Sequence, residues 1–195
     1  MMIITLPTWL TLLRIALLPV LVVVFYLPYH WANEAVVALF ILAGITDGLD
    51  GWLARRTGQL SGFGAFLDPV ADKLMVAVAL VIILERHPSI LLALAAAVII
   101  GREITVSALR EWMSEIGARA RVKVNLLGKL KTIFQMVAIG FLLYGAPLWG
   151  LPILAIGLWL LVAAAGLTLW SMLMYLTAAW PILRAHQQPG SPPAG

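Results

Sequence analysis

The chain has 195 residues, of which 63% are hydrophobic and only 11% charged, against about 25% charged in an ordinary soluble domain. Mean hydropathy is +1.01, so a soluble globular class is excluded, and the absence of cysteine excludes disulfides and thiolate metal sites. The formal charge of +4 reads as topology-setting charge beside membrane spans rather than as a surface for nucleic acid.

A membrane span takes roughly 20 apolar residues, and six apolar segments follow one another along the chain. They cover residues 6–27, 35–52, 66–84, 90–112, 126–144 and 151–183. The first is interrupted by Arg14 and Pro19 and does not resemble a cleavable signal, since no basic leader precedes it. The last is too long for one straight span, which predicts a tilt, a kink near Gly166 or an extension past the bilayer. The expected class is therefore an all-α integral membrane protein of six transmembrane helices. Residues 1–185 form one domain, and the Pro- and Gly-rich residues 186–195 form a disordered tail. Basic residues gather on one side: Arg55, Arg56, Arg102, Arg110, Arg119, Arg121, Lys123, Lys129, Lys131 and Arg184, against Arg86 alone opposite. That asymmetry places both termini and the charged face in the cytoplasm. His30 and His87 fall on the opposite side and are poor ligand candidates. Trp9, Trp31, Trp149 and Trp180 are expected at membrane surfaces, where indoles settle.

Four of the nine acidic residues lie between Asp47 and Asp72. Asp47 and Asp50 are three apart at the end of the second segment, and Asp68 and Asp72 are four apart at the start of the third. Both spacings put a pair on one helix face, so two helices can present two carboxylates each to one point, with the oxygen ligands that hard cations prefer. Asp68, which precedes Pro69, has the alternative of capping a helix. The glycine-rich connector 55–64 makes the two helices antiparallel neighbours. Gly51 and Gly64 allow a ligand close to the backbone, Ala54 is small, and Arg55 is placed to reach a phosphate. Ionisable groups near the apolar region are costly and usually functional. A cation- or proton-coupled transporter is the alternative of another class, but it calls for ionisable groups at mid-membrane depth. A scaffold role explains none of the spacing.

Residues 47–72 read D-x2-D-G-x2-A-R-x8-G-x3-D-x3-D, with Asp47, Asp50, Gly51, Ala54, Arg55, Gly64, Asp68 and Asp72 at the fixed positions. This resembles the signature of the CDP-alcohol phosphatidyltransferase family. The segment from Leu6 to Arg14, the run Gly101-Arg102-Glu103, the stretch from Ser107 to Trp112 and the stretch from Gly128 to Thr132 are similar to a bacterial branch that uses glycerol 3-phosphate. Thr8 stands where that branch is expected to carry asparagine. The resemblance implies the six-helix fold of that family, a homodimer in the bacterial inner membrane and an active site open to the cytoplasm. It implies two Mg2+ or Mn2+ ions held by Asp47, Asp50, Asp68 and Asp72, with Asp72 also the general base. Gly51, Ala54, Arg55 and Gly64 would line the site for CDP-diacylglycerol. A glycerol 3-phosphate acceptor needs a second phosphate site, for which Arg102, Arg110, Lys129 and Lys131 are the candidates. Arg102 has the structural alternative of pairing with Glu103 or with an acid on another span. Sibling enzymes use inositol phosphate, serine or phosphatidylglycerol, and the aspartate signature does not separate them.

Overall fold

A computed structural model describes residues 6–57, 62–115 and 126–186. They form six α-helices: α1 (Leu6–Phe25), α2 (Ala32–Thr57), α3 (Gly62–Arg86), α4 (Ile90–Glu115), α5 (Leu126–Tyr144) and α6 (Ile153–His186). Each expected segment is a helix, and no strand occurs among the described residues. In α1, α2, α4 and α6 the helix contains a window long and apolar enough to cross a membrane. The apolar part of α5, Leu130–Tyr144, is shorter. In α3 the apolar run is hemmed in by Asp68, Asp72 and Lys73 at one end and by Glu85 and Arg86 at the other.

Several local expectations are corrected. Pro19 does not break α1. Pro69 lies inside α3, which begins at Gly62, so Asp68 sits within the helix and is not its cap. A proline there forfeits one backbone hydrogen bond, which a continuous helix tolerates when packing holds it. The connector shrinks accordingly: Arg55, Arg56 and Thr57 end α2, and Gly62, Phe63 and Gly64 open α3. α6 is helical through Gly166 and on to His186, a residue expected in the tail. Its 34 residues rise about 51 Å, so α6 outruns a hydrocarbon layer of about 30 Å. Residues 187–195, and with them the rest of the expected tail, lie outside the described residues.

The helices alternate in direction. α5 packs most extensively on α6, α1 on α2 and α3, and α4 on α6, with α3 also touching α4 and α5. Buried Phe25, Phe40, Met75, Leu80, Ile83, Ile99, Leu142 and Leu161 fill the shared core. The α5–α6 contact is close because Gly157 lacks a side chain: a Cβ there would stand 3.0 Å from that of Phe141 and 3.2 Å from the Ala138 carbonyl oxygen. Small residues let helices approach in lipid, where packing rather than water exclusion drives association. Large apolar side chains point outward along the bundle, among them Val23, Val81, Leu94, Trp159 and Trp170, as a lipid-facing surface requires. Trp9, Trp31, Trp149 and Trp180 are all exposed.

The two ends of the bundle differ. One carries the aspartates of α2 and α3 and is called here the charged end. At the far end, Arg86 donates to the Phe25 carbonyl at 2.5 Å and to Asn33 Oδ1 at 3.0 Å, and its guanidinium lies 3.6 Å from the centre of the Phe25 ring. The same end holds a tight turn at Leu148–Leu151, with positive φ at both Trp149 and Gly150, the pattern of a type I′ turn. Trp149 is 92% exposed.

Candidate active site

Arg14 is the pivot of the charged end. It projects from α1, and its side chain is 0% exposed. Its Nη1 donates to Asp47 Oδ1 at 2.6 Å and to Asp68 Oδ1 at 3.3 Å. One nitrogen with two hydrogens thus joins a carboxylate from α2 to one from α3. Those carboxylates are themselves 42% and 44% exposed, so they open toward the site while their counter-charge is buried behind them.

The expected metal set is therefore brought together in part. Asp47 and Asp68 converge on one cationic atom. Asp50 lies on the same end of α2, and its side chain is outside the described residues. Among the described residues no three acidic or imidazole side chains gather closely enough to hold an ion. Asp72 lies one helical turn beyond Asp68, within electrostatic reach of Asp47, Asp68 and Arg14 on one side and of Glu103 on the other. Hard oxygen donors already drawn to one positive centre fit a divalent cation. Gly51, Ala54 and Arg55 occupy the last turns of α2, with side-chain surroundings outside the described residues, and Gly64 is half-buried in the first turn of α3.

Beside the aspartates a polar cavity of about 240 Å3 is lined by Asp72, Lys73, Arg102, Glu103, Arg110, Lys131, Thr132 and Gln135. It adjoins a smaller one of about 140 Å3 that adds Ser107 and Pro69. Three of the four expected acceptor-site cations, Arg102, Arg110 and Lys131, thus share one cavity with Asp72. Lys129 lies in the first turn of α5, with its side chain outside the described residues, as are Arg119, Arg121 and Lys123.

The cations are not idle. Arg102 donates to Glu103 Oε1 at 2.9 Å and to Ser171 Oγ at 3.2 Å, and Lys131 donates to the same Glu103 oxygen at 2.6 Å. The structural pairing of Arg102 with Glu103 is therefore present, and it coexists with a place on the cavity wall. Arg110 lies over the Tyr175 ring at 6.0 Å. Lys73, not singled out from the sequence, donates to Ser107 Oγ, tying α3 to α4 across the cavity. Its position directly after Asp72 was the available signal. Arg14 was missed in the same way, although an arginine inside an apolar run is the signal that had marked Arg102.

Met136 lines the polar cavity and also an apolar groove of about 730 Å3 between α2 and α5, whose walls include Phe40, Ile41, Gly44, Val137 and Gly140. Charged groups and a hydrocarbon-like trough thus meet across a single side chain.

A family model described as CDP-alcohol phosphatidyltransferase matches residues 4–179. A protein of Salmonella choleraesuis named CDP-diacylglycerol–glycerol-3-phosphate 3-phosphatidyltransferase is 53% identical over 89% of this chain and 93% of its own length. Relatives with the same name in Pseudomonas fluorescens and Shigella flexneri serotype 5b are 52% and 51% identical, over 91% and 89% of this chain and 91% and 93% of their own lengths. With the aspartate pair, the basic cavity and a match along most of its length, this chain belongs to the CDP-alcohol phosphatidyltransferase family.

Proposed function

We propose that this protein transfers the phosphatidyl group of CDP-diacylglycerol to glycerol 3-phosphate, giving phosphatidylglycerophosphate and CMP. The observation that carries the reading is the shared cavity: Asp72, from the signature, faces Arg102, Arg110 and Lys131, from α4 and α5. The names of relatives that share about half their residues with this chain point to the same acceptor.

Asp47, Asp50, Asp68 and Asp72 would hold Mg2+ or Mn2+. Such ions, when bound, offset the charge of a pyrophosphate and of the oxygens entering and leaving an in-line displacement. Gly51, Ala54, Arg55 and Gly64 would accommodate the cytidine diphosphate. Arg102, Arg110, Lys129 and Lys131 would bind the phosphate of the acceptor, with Arg102 and Lys131 oriented by Glu103 until it arrives. The acceptor hydroxyl oxygen bonds to the lipid-side phosphorus, the bond from that phosphorus to the CMP oxygen breaks, and Asp72 takes the hydroxyl proton as general base. Transfer is direct: the chain has no cysteine, and no histidine lines the cavity. The excess of Lys and Arg at the charged end supports a cytoplasmic site in the bacterial inner membrane. We also propose a homodimer, on the family resemblance alone, to be tested by crosslinking in native membranes.

Purified protein supplied with CDP-diacylglycerol, Mg2+ and labelled glycerol 3-phosphate is expected to release CMP and form labelled lipid, and to stop doing so with EDTA. Turnover with inositol phosphate, serine or phosphatidylglycerol in place of glycerol 3-phosphate would keep the chemistry and overturn the acceptor. No CMP from folded protein with any of the four would overturn the enzyme reading.

A further inference from the structure

Arg14 is more deeply buried than the carboxylates it meets, and it reaches them from a third helix. A guanidinium inside an apolar helix is costly without a use. As a counter-ion alone it needs one carboxylate, yet its Nη1 engages two, one from each half of the aspartate signature. Two ionised carboxylates on separate helices repel each other. A donor that takes one oxygen from each fixes their relative placement.

We propose that Arg14 is a positioning residue for the metal-binding carboxylates, holding Asp47 and Asp68 by one oxygen each and leaving the second oxygen of each to a divalent cation. The inference rests on reading those aspartates as metal ligands. Partners that orient metal ligands typically affect metal affinity by about 10- to 100-fold when removed. Loss of Arg14 also removes a positive charge near the ion, which acts in the opposite direction. The clamp outweighs it, because Arg14 Nη1 takes one oxygen from a carboxylate on each helix and so fixes the two ligands relative to each other.

The test uses the full chain in detergent with Mn2+ alone as probe, read by the paramagnetic resonance of free Mn2+, and needs no turnover. Arg14→Gln is expected to weaken Mn2+ binding by about 10-fold or more. Arg14→Lys, with the charge kept on a side chain one bond shorter, is expected to fall between the two and serves should the glutamine variant fail to fold. Arg86→Gln removes the other arginine that pins α1, α2 and α3, and is expected to leave Mn2+ binding unchanged. Binding as tight as wild type, or tighter, in both Arg14 variants would overturn the proposal, as would equal weakening in Arg86→Gln. Asp47→Asn separates the two levels: if it leaves Mn2+ binding intact the metal reading itself fails, and if it abolishes binding while both Arg14 variants bind as tightly as wild type, only the role of Arg14 fails.

Discussion

Two arginines hold the same three helices at opposite ends, and their partners differ in kind. Arg14 is met by two carboxylates. Arg86 is met by a backbone carbonyl, an amide side chain and an aromatic face, all neutral. Neutral partners satisfy a cation at a helix end and ask nothing further of it. Paired carboxylates at a boundary with lipid repel one another and stay costly unless positive charge is supplied. The far end is thus built for fastening, and the charged end keeps an electrostatic demand that a substrate-bound cation can meet.

The sharpest way to break this contrast is at Asp72. Asp72→Asn is expected to cut CMP release by at least about 100-fold, the usual contribution of a general base, with an unchanged melting temperature in detergent. A large loss of stability instead would make Asp72 a fastening residue like those of the far end. Next in size is Arg102→Gln. Because Arg102 sits on the wall of the polar cavity, the expected effect is a rise of about 10-fold in KM for glycerol 3-phosphate, of the order of one charge-assisted hydrogen bond, with a smaller change for CDP-diacylglycerol. Equal changes for both substrates would show that Arg102 acts only through Glu103 and Ser171.

At the far end the order of effects reverses. Arg86→Gln should destabilise the fold by about 1–3 kcal/mol, as expected for hydrogen bonds made by a charged group, and should leave both KM values as they were. The smallest effect concerns His87, whose pKa burial pushes below its ordinary 6.5, with help from the Arg86 charge. Its Nε2 lies 3.1 Å from where a Cβ on Gly145 would sit, so the imidazole packs against the end of α5. The fold favours the neutral ring. That stability is fully present above pH 6.5 and is lost as pH falls through the lowered value. The melting temperature should therefore decline slightly on acidification, and His87→Gln should remove that part of the decline.

The helices were legible because each combines a long apolar run with charge or proline near its ends, and in α1, α2, α4 and α6 that run is long enough to cross a membrane. The 126–144 segment was read with the bounds of α5. Where the expectation failed, a local rule had been applied too strictly: Pro69 suggested a helix start at Asp68, yet α3 begins at Gly62 and runs through both residues. The aspartate and basic constellations were legible because spacing along a helix is a local property. The company of Arg14 was not, since one sequence does not say which third helix lies behind a pair of acids. The dual role of Arg102 was visible only as two alternatives, pairing and binding, which the fold realises together.

The uncharged stretches beside the site carry a consequence of their own. In α1 after Arg14, in α3 after Lys73 and in α4 before Arg102, the charge-free run to the far end is residues 15–25, 74–84 and 90–101 respectively. Each rises roughly 16–18 Å, little more than half of a hydrocarbon layer of about 30 Å. Arg14, Lys73 and Arg102 thus stand at similar distances from the far end of the bundle, so that three helices present charge at one level. Adding or removing a single turn in one of the three would shift its charge by about 5.4 Å and take it out of line with the other two.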